Sequence, residues 1–231
     1  RFAGGAAVVA KHLRQAGADV KFSTVLGEDA SKDFILEEVA ASGVECDPLI
    51  DSTRVTTHKR AYIADGHRLL KVDRVDNRPI SARMLEKFKA SLSSSKADIF
   101  VFSDYRHGIF NRGTIPSLTE SLPAGPLRVA DSQVASRWGN ILEFQGFDLV
   151  TPNEREARFA LGDQDTVVRP LASELYSRAK CKVLILKLGD RGIMTYRGPT
   201  DDMRSFFSVD SFVRNAVDPV GAGRLGHLSM L

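Results

Sequence analysis

Short apolar segments alternate with helix-like segments along most of the chain, and this alternation limits its fold more than any other feature. Four segments are short and apolar, as buried strands are: 97–102, 127–130, 147–150 and 182–186. Helix-like segments lie beside them, at 81–92, 114–121, 153–161 and 172–179. Because parallel strands need crossover connections, which helices usually supply, the pattern predicts an α/β fold in which helices flank a mostly parallel central sheet.

The first part of the chain follows the same order, with helices predicted at 6–16 and 31–42 around a strand at 19–26. From residue 45 the pattern changes, and two strand-like segments flank Asp65-Gly66, a dipeptide typical of two-residue hairpin turns. The predicted hairpin could be an edge sheet, a lid, a dimer contact or a structural element without a further role. Segments 193–196 and 204–209 are predicted to add antiparallel strands to the sheet.

Composition excludes several other classes of protein. Of the 231 residues, 43% are hydrophobic and 26% are charged with mixed signs, which is typical of a globular chain and not of a disordered one. The net charge of +3 does not favour a nucleic-acid or membrane partner. Two cysteines and five histidines show neither a disulfide framework nor metal-ligand spacing. No segment approaches the about 20 apolar residues of a membrane span, and no secretory signal is recognised, so we expect a cytoplasmic protein.

Polar or glycine-rich clusters follow the predicted strands, at the sheet edge where open α/β sheets bind ligands. The five clusters are 103–108, 131–132, 151–156, 187–192 and 218–223. Each has a structural alternative. Asp131-Ser132 could cap a helix, and Asn153 with Glu156 could form a capping box or hold a hydrated Mg²⁺. Gly189 and Gly192 could be turn residues.

Taken in order, several of these motifs resemble the ribokinase-like (PfkB) family of carbohydrate kinases. They are Gly4-Gly5-Ala6-Ala7, Ser103-Asp104-Tyr105, Thr151-Pro152-Asn153-x-x-Glu156, Lys187-Leu188-Gly189-x-x-Gly192 and Asp218-Pro219-Val220-Gly221-Ala222-Gly223. Within the family, the chain is most similar to the bacterial heptose 7-phosphate kinase domain of the bifunctional kinase/adenylyltransferase. That similarity lies in Thr56-Thr57-x-Lys59 and Leu69-Leu70-Lys71-Val72-Asp73.

The resemblance implies a Rossmann-like ribokinase fold with a small β lid at about 45–73, in a single kinase domain over 1–231 that is truncated at both ends. It implies transfer of the γ-phosphoryl group from ATP with Mg²⁺ to a sugar hydroxyl, and by analogy a homodimer through the lid.

Substrate-binding residues would be Gly4, Gly5, Lys59 and Asp104. Nucleotide-binding residues would be Asn153, Lys187, Gly189, Gly192 and Asp218. Glu156 would hold Mg²⁺ through water, and Gly221, Ala222 and Gly223 would form an anion hole. Extra positive charge from Lys59, Arg60 and Arg106 near the expected site would suit a phosphorylated sugar as the substrate, and the alternative is that these three are solvated surface cations.

Three positions depart from the family pattern: Val8 replaces an Asn, Lys187 replaces a Thr, and Arg224 replaces the Asp that acts as catalytic base. A guanidinium stays protonated and has no acceptor, so Arg224 cannot take a hydroxyl proton. Two explanations stay open. Either catalysis is lost and the chain is a sugar- or nucleotide-binding pseudokinase, or residues 224–231 are the disturbed end of a kinase fragment.

Overall fold

A computed structural model describes residues 1–65, 67–133, 141–198 and 205–212, apart from the side chain of Arg68. The chain forms two compact units. The first comprises Arg1–Met84 together with His107–Ile109, and the second comprises Leu85–Arg106 together with Phe110–Leu231. Among the helices of the described ranges, none is long and apolar enough to cross a membrane.

The first unit begins with α1 (Ala6–Gln15), β1 (Lys21–Leu26), α2 (Ala30–Ala40) and β2 (Glu45–Ile50). β1 and β2 pair in parallel, from Lys21 opposite Glu45 to Leu26 opposite Ile50. Asp29 caps α2, because its carboxylate accepts hydrogen bonds from the Ser31 and Lys32 N–H groups. The apolar residues between these elements form one small core: Ala3, Ala7, Ala10, Val39 and Val44. β1 and α2 confirm the predicted strand and helix.

The predicted hairpin is present, formed by β3 (His58–Ala64) and β4 (His67–Arg74) in antiparallel pairing. Ala64 lies opposite His67, so the turn has two residues, and Asp65 adopts a φ of 49°, as such turns require. Gly66 lies outside the described residues. The hairpin is shorter than the expected lid region of 45–73, because Glu45–Ile50 pairs with β1 instead. Pro48 argues against a strand at this position, because proline is tolerated only in edge strands. β2 is such an edge strand, since its sheet has two strands.

The second unit contains a six-stranded sheet with the order β10-β9-β8-β7-β6-β5. Its strands are β5 (Ile99–Asp104), β6 (Leu127–Ser132), β7 (Leu149–Val150), β8 (Val183–Lys187), β9 (Ile193–Arg197) and β10 (Phe206–Val209). β5 to β8 are parallel, and β9 and β10 are antiparallel additions, as predicted. The parallel strands therefore end at one common edge of the sheet.

Helices of the second half are α3 (Ala82–Ser93), α4 (Thr114–Glu120), α5 (Glu154–Leu161) and α6 (Val168–Ala179), with short 3₁₀ turns at Ile141–Glu143 and Gly189–Arg191. α6 begins one turn earlier than predicted, because Pro170 fits the first turn of a helix. Phe144 and Phe147 are fully buried and pack edge to face, with ring centroids 5.6 Å apart. This apolar layer holds the strands whose ends carry the polar residues.

Candidate functional site

The strand ends of the second unit carry the polar side chains that the sequence assigned to loops. Asp104 is the last residue of β5, Asp131 and Ser132 are the last two of β6, and Lys187 is the last of β8. Thr151 directly follows β7. All of them lie at the carboxyl edge of the parallel strands, where α/β sheets bind ligands.

Asp131 joins the ends of three strands. Its Oδ1 accepts a hydrogen bond from Lys187 Nζ at 2.9 Å and another from Thr151 Oγ1 at 3.2 Å. The Asp131 side chain is only 5% exposed and that of Lys187 is 11% exposed. Both Asp131 and Ser132 belong to β6 and their side chains bind other strand ends. The helix-cap interpretation stays a prediction, because residues 134–140 lie outside the described part of the chain. Sequence spacing contained no signal for this pairing of Asp131 with Lys187.

Asn153 and Glu156 form the predicted capping box at the start of α5. Asn153 Oδ1 accepts from the Glu156 N–H, and Glu156 Oε2 accepts from the Asn153 N–H, each at 2.8 Å. Glu156 Oε1 also accepts from Asn153 Nδ2 at 2.8 Å. Burial raises the pKa of Glu156 to about 7, against the effect of the hydrogen bond from the Asn153 backbone. The Lys187 charge lowers that pKa and the Asp131 charge raises it, so the three groups share one electrostatic environment.

This donor set fits a hydrated Mg²⁺. Mg²⁺ prefers one or two carboxylates and completes its octahedron with waters and phosphate oxygens. Glu156 supplies one carboxylate whose two oxygens are held in fixed positions by Asn153. Because burial disfavours the anion, a nearby cation would stabilise the ionised form. Capping and cation binding are therefore compatible roles for the same pair.

Asp104 belongs to a separate, buried network. It accepts hydrogen bonds from the Arg106 N–H at 2.7 Å and from Ser132 Oγ at 2.9 Å, and it has no exposed surface. Arg106 forms ion pairs with Asp104 at 2.8 Å and with Glu143 at 2.5 Å. Burial raises the pKa of Asp104, while the Arg106 charge lowers it. Asp104 therefore stabilises the turn at the end of β5, where Arg106 has a φ of 54°. Its contact with substrate stays a prediction.

The Gly189–Gly192 loop is shaped by a close backbone approach. Both glycines have positive φ, 66° and 87°. A Cβ atom on Gly192 would lie 2.0 Å from the Val209 carbonyl oxygen, whereas a Cβ atom on Gly189 would meet nothing within 4 Å. Arg191, between them, pairs with Glu154 at the start of α5. The turn alternative therefore applies to this loop, and its contact with nucleotide stays a prediction.

The first unit carries the remaining predicted residues of the described part. Gly5 precedes α1 with a φ of 62°. Lys59 lies opposite Asp73 at the open end of the hairpin. His107 follows β5 in the sequence but belongs to the first unit. Its Nδ1 forms a hydrogen bond with Asn77 Oδ1 at 3.0 Å. Burial, together with the Lys59 charge, lowers the pKa of His107 to about 4, against the effect of Asp73. The sequence placed His107 in the polar cluster 103–108 but contained no signal for its contact with Asn77.

Thr56 has a structural role in the same unit. Its Oγ1 accepts a hydrogen bond from the Gly27 N–H, and its own N–H donates to Asp29 Oδ2, both at 2.9 Å. This threonine therefore connects the loop before the hairpin to the start of α2.

The predicted anion hole and catalytic position lie outside the described residues. They are Gly221, Ala222 and Gly223 for the anion hole and Arg224 for the catalytic position, and the predicted nucleotide-binding residue Asp218 also lies outside.

Comparisons with known proteins identify the family. The profile described as "pfkB family carbohydrate kinase" matches residues 1–223. The protein named "Bifunctional protein HldE" from Pelobacter propionicus is 26% identical over 227 residues, covering 95% of this chain and 45% of that protein. The protein of the same name from Caulobacter vibrioides is 30% identical over 165 residues, covering 71% of this chain and 33% of that protein. The chain therefore spans less than half the length of these curated relatives.

Solved structures show the same fold. Phosphofructokinase-2 from Escherichia coli in complex with fructose-6-phosphate superposes with a TM-score of 0.74 at 16% identity, covering 96% of this chain and 73% of that one. A carbohydrate kinase from Agrobacterium tumefaciens superposes with a TM-score of 0.68 at 20% identity, covering 85% and 62%. The predicted fold class, an α/β fold with a mostly parallel sheet, is confirmed. By its sequence match over residues 1–223, the chain belongs to the pfkB family of carbohydrate kinases.

Proposed function

We propose that the two units form one kinase domain that transfers the γ-phosphoryl group of MgATP to a hydroxyl of a sugar phosphate similar to heptose 7-phosphate. One observation carries this proposal. A lysine ammonium, paired with Asp131, and a raised-pKa carboxylate, Glu156, lie together at the ends of β6, β7 and β8. Phosphoryl transfer depends mainly on positioning and on neutralising phosphate charge, which this set of groups can supply. The family match and the curated relatives support the same reaction class.

Residue roles follow the family motif and the geometry. Lys187 and Asn153 would contact the triphosphate beside the Gly189–Gly192 loop, and Glu156 would hold Mg²⁺ through water. When bound, Mg²⁺ neutralises charge on the phosphate oxygens. The other proposed residues are Asp218 for the nucleotide, Gly4, Gly5, Lys59 and Asp104 for the sugar, and Gly221, Ala222 and Gly223 for the anion hole. We place the reaction in the cytoplasm, where ATP is available.

The positive charge proposed for sugar-phosphate recognition comes from the hairpin. Lys59 and Arg60 are neighbours on β3, and Lys59 acts electrostatically on both His107 and Asp73. Arg106 does not belong to this group, because two carboxylates of the second unit already pair with its guanidinium. Lys59 is therefore the better candidate for contact with a substrate phosphate.

A second candidate function is a pseudokinase that binds nucleotide or sugar without transfer. The observation that favours it is Arg224, at the position where the family has its catalytic Asp. Arginine has no acceptor for the hydroxyl proton. The two candidates differ in turnover and agree in nucleotide binding.

Turnover measurements on the chain and its Arg224→Asp variant separate these candidates. ATP consumption is measured with a panel of sugar phosphates, and MgATP binding is measured without sugar. We expect both proteins to bind MgATP and the Asp variant to turn over faster, because a carboxylate can accept the proton. Arg83→Asp, the same charge change at an exposed position in α3, is the control and should leave turnover unchanged. MgATP binding by both proteins without turnover by either would contradict the kinase proposal for this chain.

A further inference from the structure

Asp131 is a buried acidic residue to which neither the motifs nor the proposed reaction assigns a role. It pairs with Lys187, and the bond joins positions 56 residues apart. Thr151, at the end of β7, donates to the same Oδ1 atom. Asp131 therefore holds side chains from the ends of β7 and β8 while it lies on β6.

Lys187 needs such a partner to stay in place. A lysine side chain has four flexible carbons, and fixing it in one orientation costs conformational entropy. The backbone of Lys187 is already fixed, because its N–H donates to the Pro152 carbonyl at 2.9 Å and a bridge pairs it with Asn153. Asp131 fixes the other end of the side chain. The ammonium is thus ordered before any ligand arrives, which lowers the entropy that binding would cost.

The charges at this edge lead to the same conclusion. Without Lys187, the buried carboxylate of Asp131 would lack the ammonium that pairs with it at 2.9 Å and would repel an incoming triphosphate. The ammonium compensates that charge. Since it has three N–H donors, it can keep its bond to Asp131 while it donates to a phosphate oxygen.

We propose that Asp131 is a positioning residue of the nucleotide site, which holds the Lys187 ammonium at the ends of β6, β7 and β8 in the orientation that binds the triphosphate of ATP. This inference rests on the proposed function and deepens it. In this proposal Asp131 acts on nucleotide affinity through the ammonium of Lys187 and makes no contact with the nucleotide itself.

A double-mutant cycle tests whether Asp131 acts through Lys187. Calorimetry measures MgATP affinity, without sugar, for the full chain and for Asp131→Asn, Lys187→Met and the double variant. We expect each single variant to bind MgATP at least about tenfold more weakly, because each disrupts a buried charge pair. The double variant should bind as weakly as Lys187→Met and no more weakly, because no ammonium is left for Asp131 to position.

Lys182→Met is the matched control. Lys182 directly precedes β8 and pairs at 2.6 Å with Asp148, which directly precedes β7. This pair lies at the opposite edge of the same sheet, and the Lys182 side chain is 79% exposed. Removing that ion pair should leave MgATP affinity unchanged. If Asp131→Asn fails to fold, Asp131→Glu replaces it in the cycle, because it keeps the carboxylate but changes its position. Comparison of the double variant with Lys187→Met then still shows whether Asp131 acts through Lys187.

Several results would overturn the inference. One is a folded Asp131→Asn variant whose free energy of unfolding is lower but whose MgATP affinity is unchanged. That result would give Asp131 a purely structural role. Another is that Asp131→Asn lowers MgATP affinity by the same factor in the Lys187→Met background as it does in the wild-type chain. A chain that binds no MgATP would overturn this inference and the proposed function together. A chain that binds MgATP with the expected coupling but phosphorylates no sugar would contradict only the proposed function.

Discussion

At the residue scale, buried charge is balanced by partners that lie far apart in the sequence. Arg106 pairs with Glu143 across 37 positions, and Lys187 pairs with Asp131 across 56. A buried charge without a partner costs several kcal/mol, so these pairs must form together with the fold. The capping box of Asn153 and Glu156 is different, because its residues are three apart and the spacing alone predicted it.

His107 gives a prediction for the pH dependence of stability. Its pKa is about 4 in the folded protein and 6.5 in the unfolded reference, so the unfolded chain binds more protons between those values. Stability should therefore fall as pH drops from 6.5 to 4, by about 1–2 kcal/mol from this group after discounting for solvent screening. Urea unfolding of His107→Gln should show a shallower loss than wild type over that window. His67→Gln, at an exposed position of the hairpin, is the control and should keep the wild-type slope. Equal slopes for wild type and His107→Gln would contradict the prediction.

At the element scale, local chemistry predicted turns and caps, while pairing partners came from the fold. Asp65-Gly66 predicted the hairpin because few dipeptides suit a two-residue turn. β2 was not predicted as a partner of β1, because Pro48 interrupts its pattern and its role depends on which strand lies beside it. Likewise, Asp104 and Asp131 were expected in loops after strands, whereas hydrogen bonding extends β5 and β6 through them.

The two loop glycines give a matched prediction for one element. Gly189→Ala should cost about 1 kcal/mol of unfolding free energy, since only the positive φ is strained. Gly192→Ala should cost about 2–4 kcal/mol, because its Cβ would also collide with the Val209 carbonyl. Urea unfolding of both variants measures the difference. Equal costs would show that the approach of residues 209–211 does not constrain this loop.

At the scale of the whole molecule, the hairpin presents an unusual amount of apolar side chain to solvent. Its exposed apolar residues are Tyr62, Ile63, Leu69, Leu70 and Val72, with Leu69 71% exposed. Because successive strand residues face opposite sides, Leu70 and Val72 make one face of the hairpin apolar and Leu69 contributes to the other. Exposed apolar surface of this kind marks interaction surfaces. We therefore propose that two copies of the chain associate through the hairpin as a symmetric dimer.

Light scattering tests this dimer. We expect the wild-type chain to have the mass of a dimer and Leu69→Lys to shift toward the monomer, because the new charge would lose its water at the interface. Glu86→Lys, at an exposed position on α3, should leave the mass unchanged. A wild-type chain that is monomeric at all concentrations tested would contradict the proposal, and so would a Leu69→Lys variant that stays fully dimeric.

The sequence by itself determined the α/β class, the hairpin turn, the antiparallel end of the sheet and the capping box. Each depends on periodicity or on residues within a few positions of one another, where local sterics and hydrogen bonding decide the outcome. Only the tertiary structure decided that Asp131 holds Lys187, that Asp104 is enclosed by Arg106 and Ser132, and that His107 lies beside Asn77. Those contacts join distant positions, and they exist because parallel strands bring their carboxyl ends to one edge and bury the charges there.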